Sequence, residues 1–587
     1  MPILRIALAQ TNPVVGDIDG NAEQILNAAE RAQAAGVHLL AAGEMSLTGY
    51  PVEDLVLRQA FIDAGKRRVT RLAEELGERG CGDVAVVMGY VDSDGPTDPG
   101  PRSTHGPRNT LALLQHGEVK FTYFKHHLPN YGVFDEARYF VRGDELTVAR
   151  IGGVDVAFVI CEDMWQDGGP FPAAAQSGAG LIVSINASPY DRSKERTRQQ
   201  LLARRAQETR AHIAYVNIVG GQDDLVFDGS STVVDPQGKQ VARGRRFVED
   251  FLVTELDLPG PDGLDIANTA DNAMTVRYVT LSSDQLPRPG TVAANDVVPE
   301  LSDTGEIWEA LRLGLADYAT KNRFASVVLG LSGGIDSALV AALACDAVGA
   351  ENVWAYAMPT QYSSQHSLDD AADLAKRCGL HFHEVQVQPV VDAFLSEMSL
   401  SGLALENLQA RVRGTILMSL SNQHGHLVLA TGNKSEYAVG YSTLYGDSAG
   451  GFAPIKDVPK TTVYELARWR NAQARARGEV EPIPENSIQK PPSAELRPDQ
   501  LDSDSLPDYE VLDAILEAYI DRDQGRDELV AAGYPVDLVR TVTGLVDGAE
   551  YKRRQSAPGT KISAKSFGRD RRLPITNRFR GGLDGNV

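Results

Sequence analysis

The sequence predicts two α/β units in series: a layered sandwich of mixed strands and helices, then a doubly wound parallel sheet. Three observations predict it. In the first half, short β-branched runs recur with Ala-rich helical stretches between only some of them, so some strands are joined by hairpin-length gaps. From Ser326 onward, strand and helix signals follow a βαβαβ rhythm. Between the halves, residues 281–306 lack periodicity and carry Pro287, Pro289 and Pro299, which is linker chemistry. The expected organisation is residues 1–285, a linker over 286–304, and a second domain over 305–587.

In chain order, the first half offers strands at Ile3–Ala9, Val37–Ala42, Val84–Met88, Thr110–Leu114, Val154–Ile160, Leu181–Ile185 and Ile213–Ile218. Each is a short apolar or β-branched run, which suits a pleated, buried surface. The opening run turns polar at Gln10, too soon for a signal peptide. Helices are expected at Asn21–Ala35, Ala60–Leu76 and Ser193–Thr209. The second half reads as strand Ser326–Leu331, helix Ser337–Val348, strand Val353–Met358, helix Ser367–Arg377 and strand Phe382–Val387. After an excursion comes strand Leu427–Ala430. Such a sheet takes its ligands at the carboxyl ends of its strands.

Composition excludes several functions. Hydrophobic residues are 43% and charged residues 23% of the 587, an ordinary globular balance. No apolar run approaches the ~18 residues of a membrane span. A net charge of −22 argues against bulk binding to nucleic acid or an anionic membrane. Cys81, Cys161, Cys345 and Cys378 are scattered without a CxxC pair, which favours a reducing cytoplasm over a disulfide framework. Residues 550–580 run against the acidic trend with Lys552, Arg553, Arg554, Lys561, Lys565, Arg569, Arg571, Arg572, Arg578 and Arg580. That segment is either a solvated basic tail or a local anion clamp for a phosphate-bearing substrate.

A phosphate loop is the first chemical signal. After the strand Ser326–Leu331 comes Ser332-Gly333-Gly334-Ile335-Asp336-Ser337 and an apolar helix. The glycines admit a close ligand, the helix start offers unpaired N–H groups, and the serines add hydroxyls. Asp336 would repel phosphates unless a cation such as Mg²⁺ lies between. The structural alternative is a plain strand-to-helix turn with a capping serine. Neither the Walker nor the GxGxxG pattern fits. Ser-Gly-Gly-x-Asp-Ser after a strand resembles the pyrophosphate loop of the N-type ATP pyrophosphatases. Downstream, Ala430-Thr431-Gly432-Asn433-Lys434-Ser435-Glu436, Tyr445-Gly446-Asp447, Lys456-Asp457-Val458-Pro459-Lys460, Pro492-Ser493-Ala494-Glu495-Leu496 and Tyr551-Lys552-Arg553-Arg554 narrow the likeness. Over residues 305–580 the chain resembles the synthetase domain of NAD synthetases. The resemblance implies that Gly330, Leu331, Ser332, Gly333, Gly334, Ile335, Asp336 and Ser337, with Thr431, Lys460 and Ser493, contact ATP. Asn407, Glu436, Asp447 and Lys552 match deamido-NAD positions, and Asp336 and Glu436 match metal positions. Glu436 is thus claimed twice. On this resemblance, the basic segment serves the pyrophosphate groups of substrate and product.

The second signal lies in the first half. Cys161 follows the strand Val154–Ile160 and opens Cys161-Glu162-Asp163-Met164-Trp165, a strand-to-helix turn expected to expose the sulfur and lower its pKa. The other three cysteines read as core residues. Glu44 follows Val37–Ala42, and Lys125 follows Phe121–Phe124. A carboxylate can take a thiol proton, and a lysine can stabilise charge on sulfur or on a tetrahedral oxygen. His212 is a weaker candidate base, without a local signature. The set resembles the Glu–Lys–Cys triad of the nitrilase superfamily, in the glutaminase branch fused to NAD synthetase. The resemblance covers residues 3–250 and implies an αββα sandwich with Glu44 as base, Lys125 as electrostatic partner and Cys161 as nucleophile. It places the Glu162 N–H and Lys125 at the oxyanion, and Tyr131, Ser188 and Lys194 at glutamine. Asp135-Glu136 is motif-like without an assigned role. His381/His383 and His424/His426 have same-face strand spacing and read as edge or loop histidines.

Together the resemblances imply a carbon–nitrogen ligase completing NAD biosynthesis. ATP adenylates deamido-NAD (nicotinic acid adenine dinucleotide) with Mg²⁺, and ammonia from glutamine displaces AMP. A cytoplasmic homo-oligomer with small-molecule substrates is expected. Two alternatives stay open: the same chemistry on another carboxylate, or a nitrilase-like scaffold whose basic tail binds an anionic partner.

Overall fold

The computed structural model describes residues 2–95, 105–260, 274–287, 297–498 and 500–579. Residues 288–296 of the expected linker and Arg580 of the basic segment lie outside the described residues. The chain divides into two compact units, Met1–Gln222 with Phe227–Glu300, and Asp223–Val226 with Leu301–Val587. The expected fold class is present: mixed α/β, with a parallel sheet in the second unit.

In the first unit, six strands run in the order Asp250–Asp257, Ile3–Gln10, Leu39–Ala42, Ala85–Ser93, Pro107–Gln115 and Glu118–Phe124. Seven more run Gln240–Arg243, Thr232–Val234, His212–Asn217, Leu181–Asn186, Val154–Ile160, Glu145–Ile151 and Thr275–Thr280. Strand alternation builds the layers. Leu4, Ile6 and Leu8 pack with Val156, Phe158 and Ile160 of the other sheet, while Ala7 and Ala9 pack with Ile25, Leu26, Val69 and Leu72 of helices Ile18–Ala34 and Gln59–Glu78. Phe171, Leu202 and Ala206, from helices Pro170–Ser177 and Lys194–Thr209, join the core that both sheets share. The result is an αββα sandwich. Five strands of these two sheets had no sequence signal: Glu145–Ile151, Thr232–Val234, Gln240–Arg243, Asp250–Asp257 and Thr275–Thr280. Asp250–Asp257 alternates buried with partly exposed positions and Thr275–Thr280 has no buried residue, so neither carries a continuous apolar run.

In the second unit, four parallel strands run His381–Glu384, Val353–Ala357, Val327–Gly330 and Leu427–Leu429. The first strand in sequence is flanked by the second and the fourth, so strand order reverses beside it. In sheets of this order ligands bind at that switch point, outside the carboxyl ends. The phosphate loop leaves Gly330 and the Thr431–Glu436 segment leaves Leu429, the two strands that meet there. The helix after the loop begins at Ile335, two residues before the expected Ser337, because Gly334 takes an extended N-cap conformation. Asp336 therefore sits in the first helical turn.

Candidate active sites

In the first unit, three strand ends converge. Glu44 lies two residues beyond Leu39–Ala42 in a turn pressed onto the next strand. A Cβ on Gly89 would lie 2.2 Å from the Met45 nitrogen and 2.9 Å from Glu44 Cα, so only glycine admits this approach. Lys125 ends Glu118–Phe124, its N–H held by the Asn109 carbonyl at 2.9 Å. Lys125 Nζ donates to Glu44 Oε1 at 2.7 Å and to Glu136 Oε1 at 2.8 Å, all three side chains being buried. Asn109 Nδ2 bridges the carboxylates, donating to Glu44 Oε1 at 2.7 Å and Glu136 Oε2 at 3.3 Å. The Tyr50 hydroxyl donates to Glu136 at 2.9 Å, and the Ala187 N–H donates to Glu44 Oε2 at 2.8 Å. Glu136 is thus part of the cluster, and Asn109 had no sequence signal at all. Burial pushes the Glu136 carboxyl up to about 7, against Lys125 and with the help of Glu44. Burial alone would lower the Lys125 pKa, but Glu136 and Glu44 hold it well above the ordinary lysine value.

Cys161 caps the short helix Glu162–Trp165 at φ 44°, ψ −92°, a backbone conformation costly for a residue with a Cβ. The expectation of an exposed, acidified sulfur is corrected. Cys161 is only 5% exposed, and burial, followed by the Glu44 charge, pushes its thiol well above the ordinary value despite Lys125. One helical turn supplies too little dipole to offset that desolvation. The arrangement still permits catalysis, because moving a proton from Cys161 to Glu44 exchanges one buried anion for another beside the same ammonium. His212 lies elsewhere. It pairs with Leu181 at the start of its strand, whereas Cys161 adjoins Ile185 at the far end, about 15 Å away.

Of the expected glutamine contacts, the Tyr131 hydroxyl donates to both Glu162 oxygens at 3.0 Å. Lys194 Nζ lies 5.6 Å from the Trp165 ring centre and 5.8 Å from that of Phe134, and burial lowers its pKa. Lys194 and Cys161 lie within electrostatic range of each other. The Ser188 N–H donates to Asn217 Oδ1 at 2.9 Å.

In the second unit, Lys460 Nζ donates to Asp336 Oδ2 and, at 3.4 Å, to Glu436 Oε1. Asn433, missed in the sequence although it lies within the quoted run, donates to Asp336 Oδ1 at 2.9 Å and caps the helix that carries Glu436. Burial pushes Glu436 up to about 8, with Lys460 opposing. Ser337 Oγ donates to the Gly334 carbonyl at 3.1 Å and accepts the Ser332 N–H at 3.2 Å, so it braces the loop. A second group gathers on the segment 440–447. Asn407 Oδ1 accepts the Thr443 hydroxyl at 2.9 Å, Asp447 Oδ1 accepts the Thr443 N–H at 2.7 Å, and Lys552 Nζ donates to the carbonyls of Gly440 at 2.7 Å and Ser442 at 2.8 Å. Glu436 belongs geometrically to the Asp336–Lys460 group. Thr431 is half-buried at its strand end, and Ser493 Oγ accepts the Glu495 N–H at 3.1 Å. Arg413, also missed, presents a cation at the carboxyl edge, its Nε donating to the Met358 carbonyl at 3.0 Å.

Five cations of the basic segment are held in ion pairs. Glu550 takes Arg553, Arg554 and Arg571 at 2.9, 2.8 and 3.2 Å; Lys561 pairs with Asp570, and Lys565 with Asp523. His381 stacks on Trp354 and His383 on Tyr356, while His426 Nδ1 lies 2.6 Å from Ser326 Oγ. Among the described residues, no group of three or more His, Cys, Asp or Glu is placed to hold a metal ion. No helix among them is long and apolar enough to cross a membrane.

Two family models match the chain: carbon-nitrogen hydrolase over residues 5–261 and NAD synthase over residues 307–556. The glutamine-dependent NAD(+) synthetase of Aquifex aeolicus is 43% identical over 592 residues, covering 98% of this chain and 100% of that protein. The one from Acinetobacter baylyi is 41% identical, covering 99% of each. The solved structure of the Acinetobacter baumannii enzyme in complex with adenosine diphosphate is 38% identical with a TM-score of 0.72, covering 98% of this chain and 99% of that one. Full-length similarity at this level, with both family models matching this chain, means that the chain belongs to the glutamine-dependent NAD(+) synthetase family.

Proposed function

We propose that the chain makes NAD by ATP-dependent amidation of deamido-NAD, with nitrogen from glutamine. The observation that carries this reading is one chain holding both a buried carboxylate–ammonium–thiol set and a phosphate loop closed by Asp336 and Lys460. In the first unit, Glu44 takes the Cys161 proton as the sulfur attacks the glutamine amide carbon. Lys125 and the Glu162 N–H face the tetrahedral oxygen. The proton passes to the leaving nitrogen, ammonia departs, and water then cleaves the thioester to glutamate. Tyr131, Ser188 and Lys194 hold the substrate, Lys194 offering its charge to the α-carboxylate.

In the second unit, the deamido-NAD carboxylate attacks the α-phosphorus of ATP. The bond to the bridging oxygen breaks and pyrophosphate leaves. Ammonia adds to the adenylated carbonyl, loses a proton and expels AMP. Backbone N–H groups from Gly333 to Ser337 cradle phosphate oxygens at the helix start. Lys460 neutralises them; Thr431 and Ser493 lie at the edge of that site. Asn407, Asp447 and Lys552, with segment 440–447, hold the dinucleotide. Asp336 and Glu436 would hold Mg²⁺: both are hard oxygen donors converging on a point where a cation, the Lys460 ammonium, already sits. When bound, the ion supplies charge neutralisation on the phosphates.

The test is incubation with ATP, Mg²⁺, glutamine and nicotinic acid adenine dinucleotide, with the product identified by mass. Cys161→Ala is expected to abolish glutamine-supported synthesis and keep ammonia-supported synthesis. Asp336→Asn is expected to abolish both and keep glutamine hydrolysis. Glutamine-supported turnover by Cys161→Ala would sink the first-unit assignment.

A further inference from the structure

Asp163, two residues beyond Cys161, is fully buried at 0% exposure. Its Oδ1 accepts the consecutive backbone N–H groups of His126 at 3.0 Å and His127 at 2.9 Å. Its Oδ2 accepts the Tyr123 hydroxyl at 2.7 Å and the Ile160 N–H at 3.0 Å. These donors come from two pieces of chain. Tyr123, His126 and His127 flank Lys125, whereas Ile160 is the last strand residue before Cys161. All four donor groups are neutral. A carboxylate buried among neutral donors is expensive, and an asparagine would cost less. Only a carboxylate, however, presents acceptors alone to both sides. The positive φ of Cys161 adds a need for restraint, since the turn must be held in a conformation it does not favour.

We propose that Asp163 is a positioning residue of the first site, one carboxylate that fixes the separation between the Lys125 ammonium and the Cys161 sulfur. The proposal rests on reading that site as the glutaminase. Asp163 does not touch the reacting atoms. It locks the two strand ends that carry them, and a displacement of about 1 Å between such groups costs about 100-fold in rate. Asp163→Asn keeps the shape but turns one acceptor into a donor that faces an N–H on either side.

The experiment compares wild type, Asp163→Asn and Tyr123→Phe by glutamine hydrolysis, by ammonia-supported synthesis and by the pH dependence of Cys161 alkylation with iodoacetamide. The charged groups facing that sulfur are Glu44, Lys125, Glu136, Glu162 and Lys194. In Asp163→Asn, kcat for glutamine hydrolysis should fall about 100-fold at a near-constant KM. The alkylation curve should move to higher pH as the ammonium drifts from the sulfur, with ammonia-supported synthesis intact. Tyr123→Phe, which removes one donor and keeps the backbone bonds, should move the curve the same way by less. Wild-type kcat in Asp163→Asn, or a kcat loss with an unmoved curve, overturns the proposal. If Asp163→Asn does not fold, an unmoved curve in Tyr123→Phe overturns it. Wild-type protein that hydrolyses no glutamine overturns the glutaminase reading itself, and this proposal with it.

Discussion

Glu136 shows what a single residue contributes. It shares the Lys125 ammonium with Glu44, so two buried carboxylates face one buried cation. In Glu136→Gln the shape stays but the ammonium loses one of its two carboxylate partners, and kcat for glutamine hydrolysis should fall about 100-fold. With Glu136 pushed up to about 7, wild-type hydrolysis should decline as pH drops through about 7, and the variant should lack that limb. Stability runs the other way. The native value lies above the ordinary 4.5, so the native state holds this proton more tightly than the unfolded chain does. That contribution is complete below pH 4.5 and lost as pH rises through about 7, so the Tm of the variant minus that of wild type should grow between pH 5 and pH 8. A pH-independent gap contradicts the assigned charge. In the sequence, Glu136 was visible only as one acid of an Asp-Glu pair. Its role depends on Lys125 and Asn109, which reach it across the fold.

At the scale of elements, the phosphate loop depends on a helix that follows it in sequence. Gly333 has φ +79°, and a Cβ there would meet the Ser367 carbonyl oxygen at 2.2 Å, in the first turn of helix Gln365–Cys378. That backbone cannot swing aside as a side chain would. Gly333→Ala should cost about 1–3 kcal/mol of stability in the second unit. It should also abolish synthesis with either nitrogen source while glutamine hydrolysis continues, read by calorimetry and product analysis. A glycine pair after a strand is legible from residue types alone, because glycine readily takes the positive φ that Gly333 adopts. The basic segment was not legible in the same way: composition counts its cations, but Glu550, Asp570 and Asp523 decide which of them remain available.

For the whole molecule, the chemistry explains why two activities share a chain. Free ammonia in neutral water is mostly ammonium, which has no lone pair, whereas nitrogen released from glutamine in a water-poor site stays neutral. With amide-labelled glutamine and unlabelled ammonium together, the NAD formed should carry the label; dilution in proportion to solvent ammonium would contradict this coupling. By itself, the sequence determined the two α/β units, the Gly-Gly turn between strand and helix, the strand-end placement of Glu44, Lys125 and Cys161, and the resemblance that joins them. These are local properties: periodicity, turn chemistry and residues adjacent to strand ends. Only the tertiary structure decided that Glu136 and Asn109 complete the ion cluster, that the Cys161 sulfur is buried with a raised pKa, that Glu436 meets Asp336 across Lys460, and that five cations of the basic segment are held in ion pairs. Each of these depends on desolvation and on partners far away in sequence, and neither exists until the strands have packed.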